Sequence, residues 1–229
     1  MLRPKKKLSK RELKEDALVT TYVKATTFYE TNKKSISIGI TVLVVAVFAV
    51  VVFMKNRADS NEKALAQLGG VYQIYDAGQY QLAIDGVPEK NIPGLKSIVE
   101  NYGNSAGGDL ARFYLANAYF NAGNVDEALK HFEDCSPSDD LLQVSRLSGI
   151  AACLEAKGDH GNAAENFEKA ATRYAKDVTA AENLNNAARN YGQAGEKEKA
   201  IELYKRIKKN YPTTTFAREA DRFITQLTV

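Results

Sequence analysis

Histidine and cysteine are scarce in this chain, two of each among 229 residues. Two cysteines cannot define a disulfide scaffold in a chain of this size. His131 and His160 have no cysteine or acidic cluster at metal-ligand spacing, so no metal site is expected and both rings should face solvent. A phosphate-cradling loop is missing as well: Gly107-Gly108-Asp109 lacks the surrounding strand–helix signature and reads as a loop. No serine-nucleophile motif occurs, and the pair Asp139-Asp140 reads as a solvated helix start. These absences leave no catalytic residue, cofactor or small-molecule substrate to assign, and no enzyme is expected. Cys135 and Cys153 keep two readings, buried small residues or a disulfide in an oxidising exterior.

Charge is absent from Ile36 to Phe53, eighteen apolar or small residues rich in β-branched side chains. With Ser35 and Met54 a helix here would be about 30 Å long, the thickness of a bilayer core. The span is therefore set at 36–54. A cleaved signal is not expected, because the preceding flank is long and the residues that follow offer no small-x-small site. The segment reads as a signal-anchor.

Basic residues orient it. Ten Lys or Arg precede residue 36, whereas Lys55, Arg57 and Lys63 are the three in the first twenty positions beyond the span. The positive side stays in the cytoplasm, which leaves the C-terminal part outside. The first 54 residues carry ten basic and four acidic groups, or +6; the remaining 175 carry twenty-one and twenty-four, or −3. That balance argues against nucleic acid as a partner. Ser9 with Glu12 is a possible capping box. Leu18, Val19, Tyr22, Ala25, Thr26 and Tyr29 share one side of a helix, expected to lie along the membrane surface or to rest against a membrane partner.

Beyond the span a pattern of small and large residues recurs three times: Ala116, Tyr119, Gly123, Ala128, Phe132; Ala151, Leu154, Gly158, Ala163, Phe167; Ala188, Tyr191, Gly195, Ala200, Tyr204. The glycines are 35 and 37 residues apart, a period that means stacked helix pairs. Small residues let helices approach, rings fill the space beside the crossing, and glycine ends the first helix of each pair in the left-handed conformation. Asn124 with Glu127 resembles a capping box at the start of one second helix.

The pattern resembles tetratricopeptide repeats over about residues 109–212. It departs from them at Arg112, which stands where the family has a large apolar residue, and at Leu154, which replaces an aromatic. Residues 61–87 read as a degenerate unit, residues 88–108 as a short helix between loops, and 213–227 as a capping helix carrying Phe216, Ala220, Phe223 and Leu227. The expected fold is all-α: one N-terminal transmembrane helix, then a helix-turn-helix superhelix of three clear repeats, one degenerate repeat and a C-terminal cap. The expected boundaries are 1–35 cytoplasmic, 36–54 transmembrane, 55–108 linker helix and degenerate repeat, and 109–229 repeats with cap.

By this resemblance the first helices line a concave protein-binding groove. Its residues here would be Phe113, Asn117, Phe120 and Asn121; Ser148, Ala152 and Glu155; Asn185, Arg189 and Gln193. The lysines of the family's carboxylate clamp are missing, so recognition of a peptide C-terminus is not expected. Phe28, Asn32 and Lys33 match the lead-in of one bacterial family, and the order of parts resembles that of ancillary SecYEG translocon subunits. Their repeat domain is shared with cell-division coordinators. The resemblance implies an inner-membrane protein with an exported, periplasmic repeat domain. It would meet translocon subunits and hand client polypeptides to periplasmic chaperones; the alternative is a scaffold for envelope assembly or division.

The charge asymmetry predicts a topology. Proteinase added to spheroplasts should digest the chain beyond residue 54 and leave the N-terminal 35 residues intact. Protection of the repeats instead would reverse the orientation.

Overall fold

The computed structural model describes residues 10–174 and 178–228. The basic start and the Ser9–Glu12 pairing fall outside the residues whose side chains are described. Ten α-helices, one 3-10 turn and two two-residue strands make up the described structure. The chain divides into two units, Met1–Asn56 and Arg57–Val229, and each is taken by itself.

Among the described residues of the first unit the backbone is a single helix, part of α1 (Lys10–Asp76). It is long and apolar enough to cross a membrane, and none of its apolar stretch is buried within the chain. Phe48 and Phe53 are 69% and 65% exposed, and the valines and leucine between 42 and 52 are uncovered in the same way. A soluble core helix would bury these side chains against neighbours, at about 1.5–3 kcal/mol each; here no neighbour within the described chain covers them. The few polar groups satisfy themselves, as the Thr41 hydroxyl donates to the Ser37 carbonyl at 2.9 Å. The amphipathic stretch before the span is not a helix of its own, because α1 continues through residues 30–37 without a break. A sharp turn needs proline, a glycine–serine pair or lost backbone bonds. Instead Thr31 and Asn32 bond back to the preceding turn.

In the second unit three helix pairs follow one another: α4 (Ala106–Asn121) with α5 (Val125–Asp134), α6 (Asp140–Ala156) with α7 (His160–Arg173), and α8 (Val178–Gln193) with α9 (Lys197–Asn210). Each first helix ends in the same way. Gly123, Gly158 and Gly195 have φ of +85°, +79° and +81°. The next amide bonds back to the carbonyl of Tyr119, Leu154 or Tyr191 at 2.8–2.9 Å, so the large residue of the motif also receives the closing bond of the turn. Gly78 (φ +72°) repeats this geometry with Ile74, which makes the end of α1 the first helix of a fourth unit. Its second helix, α2 (Tyr80–Asp85), is cut short by Gly86. A small antiparallel pairing of Gly86–Val87 with Ile92–Pro93 follows, enclosing the 3-10 turn Pro88–Lys90, and then α3 (Leu95–Tyr102). The last helix, α10 (Thr215–Thr228), packs Phe216, Phe223 and Leu227 on the final pair, as a cap should.

The repeat residues pack as their sizes require. Ala116, Ala128, Ala151, Ala163, Ala188 and Ala200 are fully buried, with Phe132, Phe167 and Tyr204 beside them. Arg112, at the position where a large apolar residue was expected, has a structural use. Its guanidinium donates to the Asp134 carbonyl at 3.2 Å, and Arg146 donates to the Cys135 carbonyl at 2.6 Å. Two cations thus satisfy the carbonyls that α5 leaves open at its C-terminus.

Several local expectations are corrected. Gly107-Gly108-Asp109 is the first turn of α4, capped by Ser105, not a loop. Glycine is needed there because a methyl group at 108 would collide with the Tyr102 carbonyl, and one at 107 would press on Asn61. Asn124 makes no capping hydrogen bond, and Glu127 lies 3.9 Å from His131 instead. Neither histidine simply faces solvent: His131 stacks on Tyr119 at 5.5 Å between ring centres, and His160 Nδ1 meets Asn190 Oδ1 at 2.9 Å. Both cysteines are free and buried, which selects the small-residue reading over the disulfide.

Two outcomes follow. Gly149 sits inside α6 directly under the Phe132 ring, and a methyl group there would lie 2.6 Å from Phe132 Cε1 and 2.8 Å from Cε2. Gly149→Ala should therefore destabilise by about 1–3 kcal/mol through overpacking, although glycine-to-alanine inside a helix ordinarily gains about 1 kcal/mol. Gly69→Ala, with open space around it in α1, should show that ordinary gain; urea titration of both variants checks the sign. Burial raises the thiol pKa of Cys135 to about 12 and that of Cys153 to about 11. Iodoacetamide at pH 8 should leave both unmodified in the folded protein and label both in denaturant, as read by mass spectrometry.

Candidate protein-interaction groove

The first helices α4, α6 and α8 lie side by side, and a cleft of about 510 Å³ opens across them. Its floor is apolar. Phe113 and Phe120 come from α4, Val144 and Ala152 from α6, and the rings of Phe132 and Phe167 reach through from the second helices. Phe113 and Phe132 meet edge to face with centres 5.9 Å apart, so the Phe132 ring that fills the contact with Gly149 also underlies the cleft. Its rim is polar: Asn117, Ser145, Ser148, Glu155, Thr179, Glu182, Asn183, Asn186 and Arg189.

Two hydrogen-bonded ties hold α6 to α8 along this rim. The Ser148 hydroxyl lies 2.7 Å from Asn183 Oδ1, and Asn183 is almost fully buried. Farther along, Arg189 donates to both carboxylate oxygens of Glu155 at 2.7 and 2.9 Å, and Asn190 donates to the same carboxylate at 3.1 Å. The Arg189 side chain is 52% exposed and that of Glu155 30%, so water screens the pair and its net contribution is about 1 kcal/mol or less. Asn190 is 1% exposed and passes the network on to His160.

Of the residues assigned to the groove from sequence, Phe113, Asn117, Phe120, Ser148, Ala152, Glu155 and Arg189 all line this cleft. Asn121, Asn185 and Gln193 do not. Asn121 is exposed at the end of α4 and donates to the Asn117 carbonyl. Asn185 lies about 60° around α8 from Glu182, at the margin of the lining stripe, and its buried Oδ1 has no partner. Gln193 is a turn too far and lines a smaller cleft of about 260 Å³ with Tyr204, Phe223 and Leu227, where α10 closes the stack. Sequence reasoning missed Phe132, Phe167 and Gly149. The available signal was a glycine in mid-helix, where no turn calls for one.

A row of tyrosines extends the aromatic surface toward the fourth unit. Tyr114 meets Tyr72 at 5.6 Å and Tyr75 at 5.2 Å, and Tyr75 meets Tyr80 at 5.5 Å, each edge to face. Tyr72 is 43% exposed. Burial, reinforced by the neighbouring phenols and Asp76, raises the Tyr75 pKa.

An aromatic-floored cleft on the first helices of stacked pairs defines a protein-interaction scaffold. The tetratricopeptide repeat model matches residues 143–212, and the tetratricopeptide repeat-like domain model matches residues 26–176. The chain belongs to the tetratricopeptide repeat-like domain family. Among solved structures it is similar to a Podosopora anserina protein assigned as a kinesin light chain with nearly identical TPR-like repeats. The two share 18% identity over 73% of this chain and 86% of the other, with a TM-score of 0.55, a likeness of fold. No curated protein sequence matches the chain.

Proposed function

We propose that the protein is a membrane-anchored interaction module of the bacterial inner membrane, its N-terminus in the cytoplasm and its repeat domain in the periplasm. It works beside the Sec translocon and passes exported polypeptides to periplasmic chaperones. The observation that carries this reading is the union of two parts in one family match. The match begins at residue 26, before the apolar run, and continues into the repeats that form the cleft. The boundaries 1–35, 36–54, 55–108 and 109–229 divide that architecture by role. The span keeps the protein at the membrane, and the cleft engages an extended polypeptide or a chaperone segment. Rings supply contact area there, and the amides of Asn117 and Asn186 meet backbone groups. Confinement raises the concentration of partners for one another, so weak individual contacts suffice.

The test is purification of the full chain from solubilised membranes after photocrosslinking from position 113 or 189. Translocon subunits together with chaperone or client polypeptides are the expected products. Division or wall-building proteins without translocon subunits would replace this reading with an envelope-assembly scaffold.

A further inference from the structure

The charges of the cleft are unequal. Two carboxylates, Glu155 and Glu182, and one guanidinium, Arg189, line it, and no lysine does. Arg189 is held by Glu155, which cancels that pair. Glu182 is exposed and has no ion-pair partner among the described residues. At the far end of the aromatic surface the same holds for Asp76, beside the tyrosine row, where its negative charge adds to the upward shift of the Tyr75 pKa. Ring faces and edges of the aromatic surface, whose quadrupoles attract cations, accompany these exposed carboxylates. The family's basic clamp would accept a carboxylate; this surface has the opposite sign.

We infer that the polypeptide taken by the concave face is a cationic one, an extended segment that places lysine or arginine near Glu182 and Asp76 and an apolar side chain over Phe113 and Phe120. This rests on the reading of the cleft as a polypeptide-binding groove and adds the chemistry of its occupant. Attraction to exposed carboxylates is screened by salt, whereas the apolar anchor is not. Binding should therefore weaken as salt rises and then level off.

The experiment uses the full chain in lipid nanodiscs and three fluorescein-labelled synthetic peptides of one length. They alternate phenylalanine with lysine, with glutamate, or with serine, and anisotropy is the readout. The lysine peptide should bind at least about tenfold more tightly than the glutamate peptide at low salt. Glu182→Gln, an exposed change that leaves the core untouched, should weaken it by up to about fivefold. Phe120→Ala should weaken whichever peptides bind. Equal or tighter binding of the serine or glutamate peptide, still lost in Phe120→Ala, overturns the cationic occupant and leaves the groove standing. Absence of binding by all three, or indifference to Phe120→Ala in a variant with unchanged helical circular dichroism, overturns both.

Discussion

The repeat stack depends on rings seated against positions that carry little or no side chain. Phe132 is the clearest case: it projects from α5, is 1% exposed, and rests where α6 has only the hydrogen of Gly149. Close packing at this contact sets how near one helix pair lies to the next. The same ring forms part of the cleft floor, so the contact that stabilises the stack also shapes the binding surface. A groove built in this way needs no loop to rearrange before a partner arrives, which lowers the entropic cost of binding.

Polar ties refine what the apolar contacts establish. Ser148 with Asn183, and Glu155 with Arg189 and Asn190, link α6 to α8 at two heights, and Arg112 and Arg146 clamp the end of α5 from both sides. The half-exposed pair Glu155–Arg189 is worth little alone. Together the ties specify register, because sliding α8 by one turn would break the bonds of Asn183 and Asn190, both almost buried, to Ser148, Glu155 and His160 and leave only those within α8. The apparent defect in the first repeat, arginine where the family has an apolar residue, is thus one of the stack's fixed points.

What was legible in the sequence was whatever local chemistry dictates. Gly123, Gly158 and Gly195 announce their turns because left-handed backbone favours glycine, and the apolar run announces itself by length. The cap helix follows from the spacing of Phe216, Ala220, Phe223 and Leu227. What was not legible depends on distant neighbours. Gly107 and Gly108 resemble loop residues until Asn61 and the Tyr102 carbonyl are brought against them, and Gly107 then donates to Asn61 Oδ1 at 2.6 Å. His131 looks like a surface residue until Tyr119 is stacked on it. In the cleft, the family positions fall on the helices that line it, though not all of them reach it. Asn121, Asn185 and Gln193 fall just off the lining stripe, while rings from the second helices show through gaps that position rules for first helices cannot see.

The two units solve opposite solvation problems with one backbone type. The described residues from 57 to 228 bury alanines and rings among themselves and turn most carboxylates outward; the apolar helix before them buries none of its stretch and is long and apolar enough to cross a membrane. Neither arrangement substitutes for the other. Among the described residues the stack has no exposed apolar face on the scale of that helix, and the apolar run has no polar rim like that of the cleft. In the proposed function location falls to one unit and selectivity to the other. In the function proposed above, an anchored groove with an exposed carboxylate and an aromatic floor discriminates among passing segments with shallow contacts, because the membrane span would hold it where they pass.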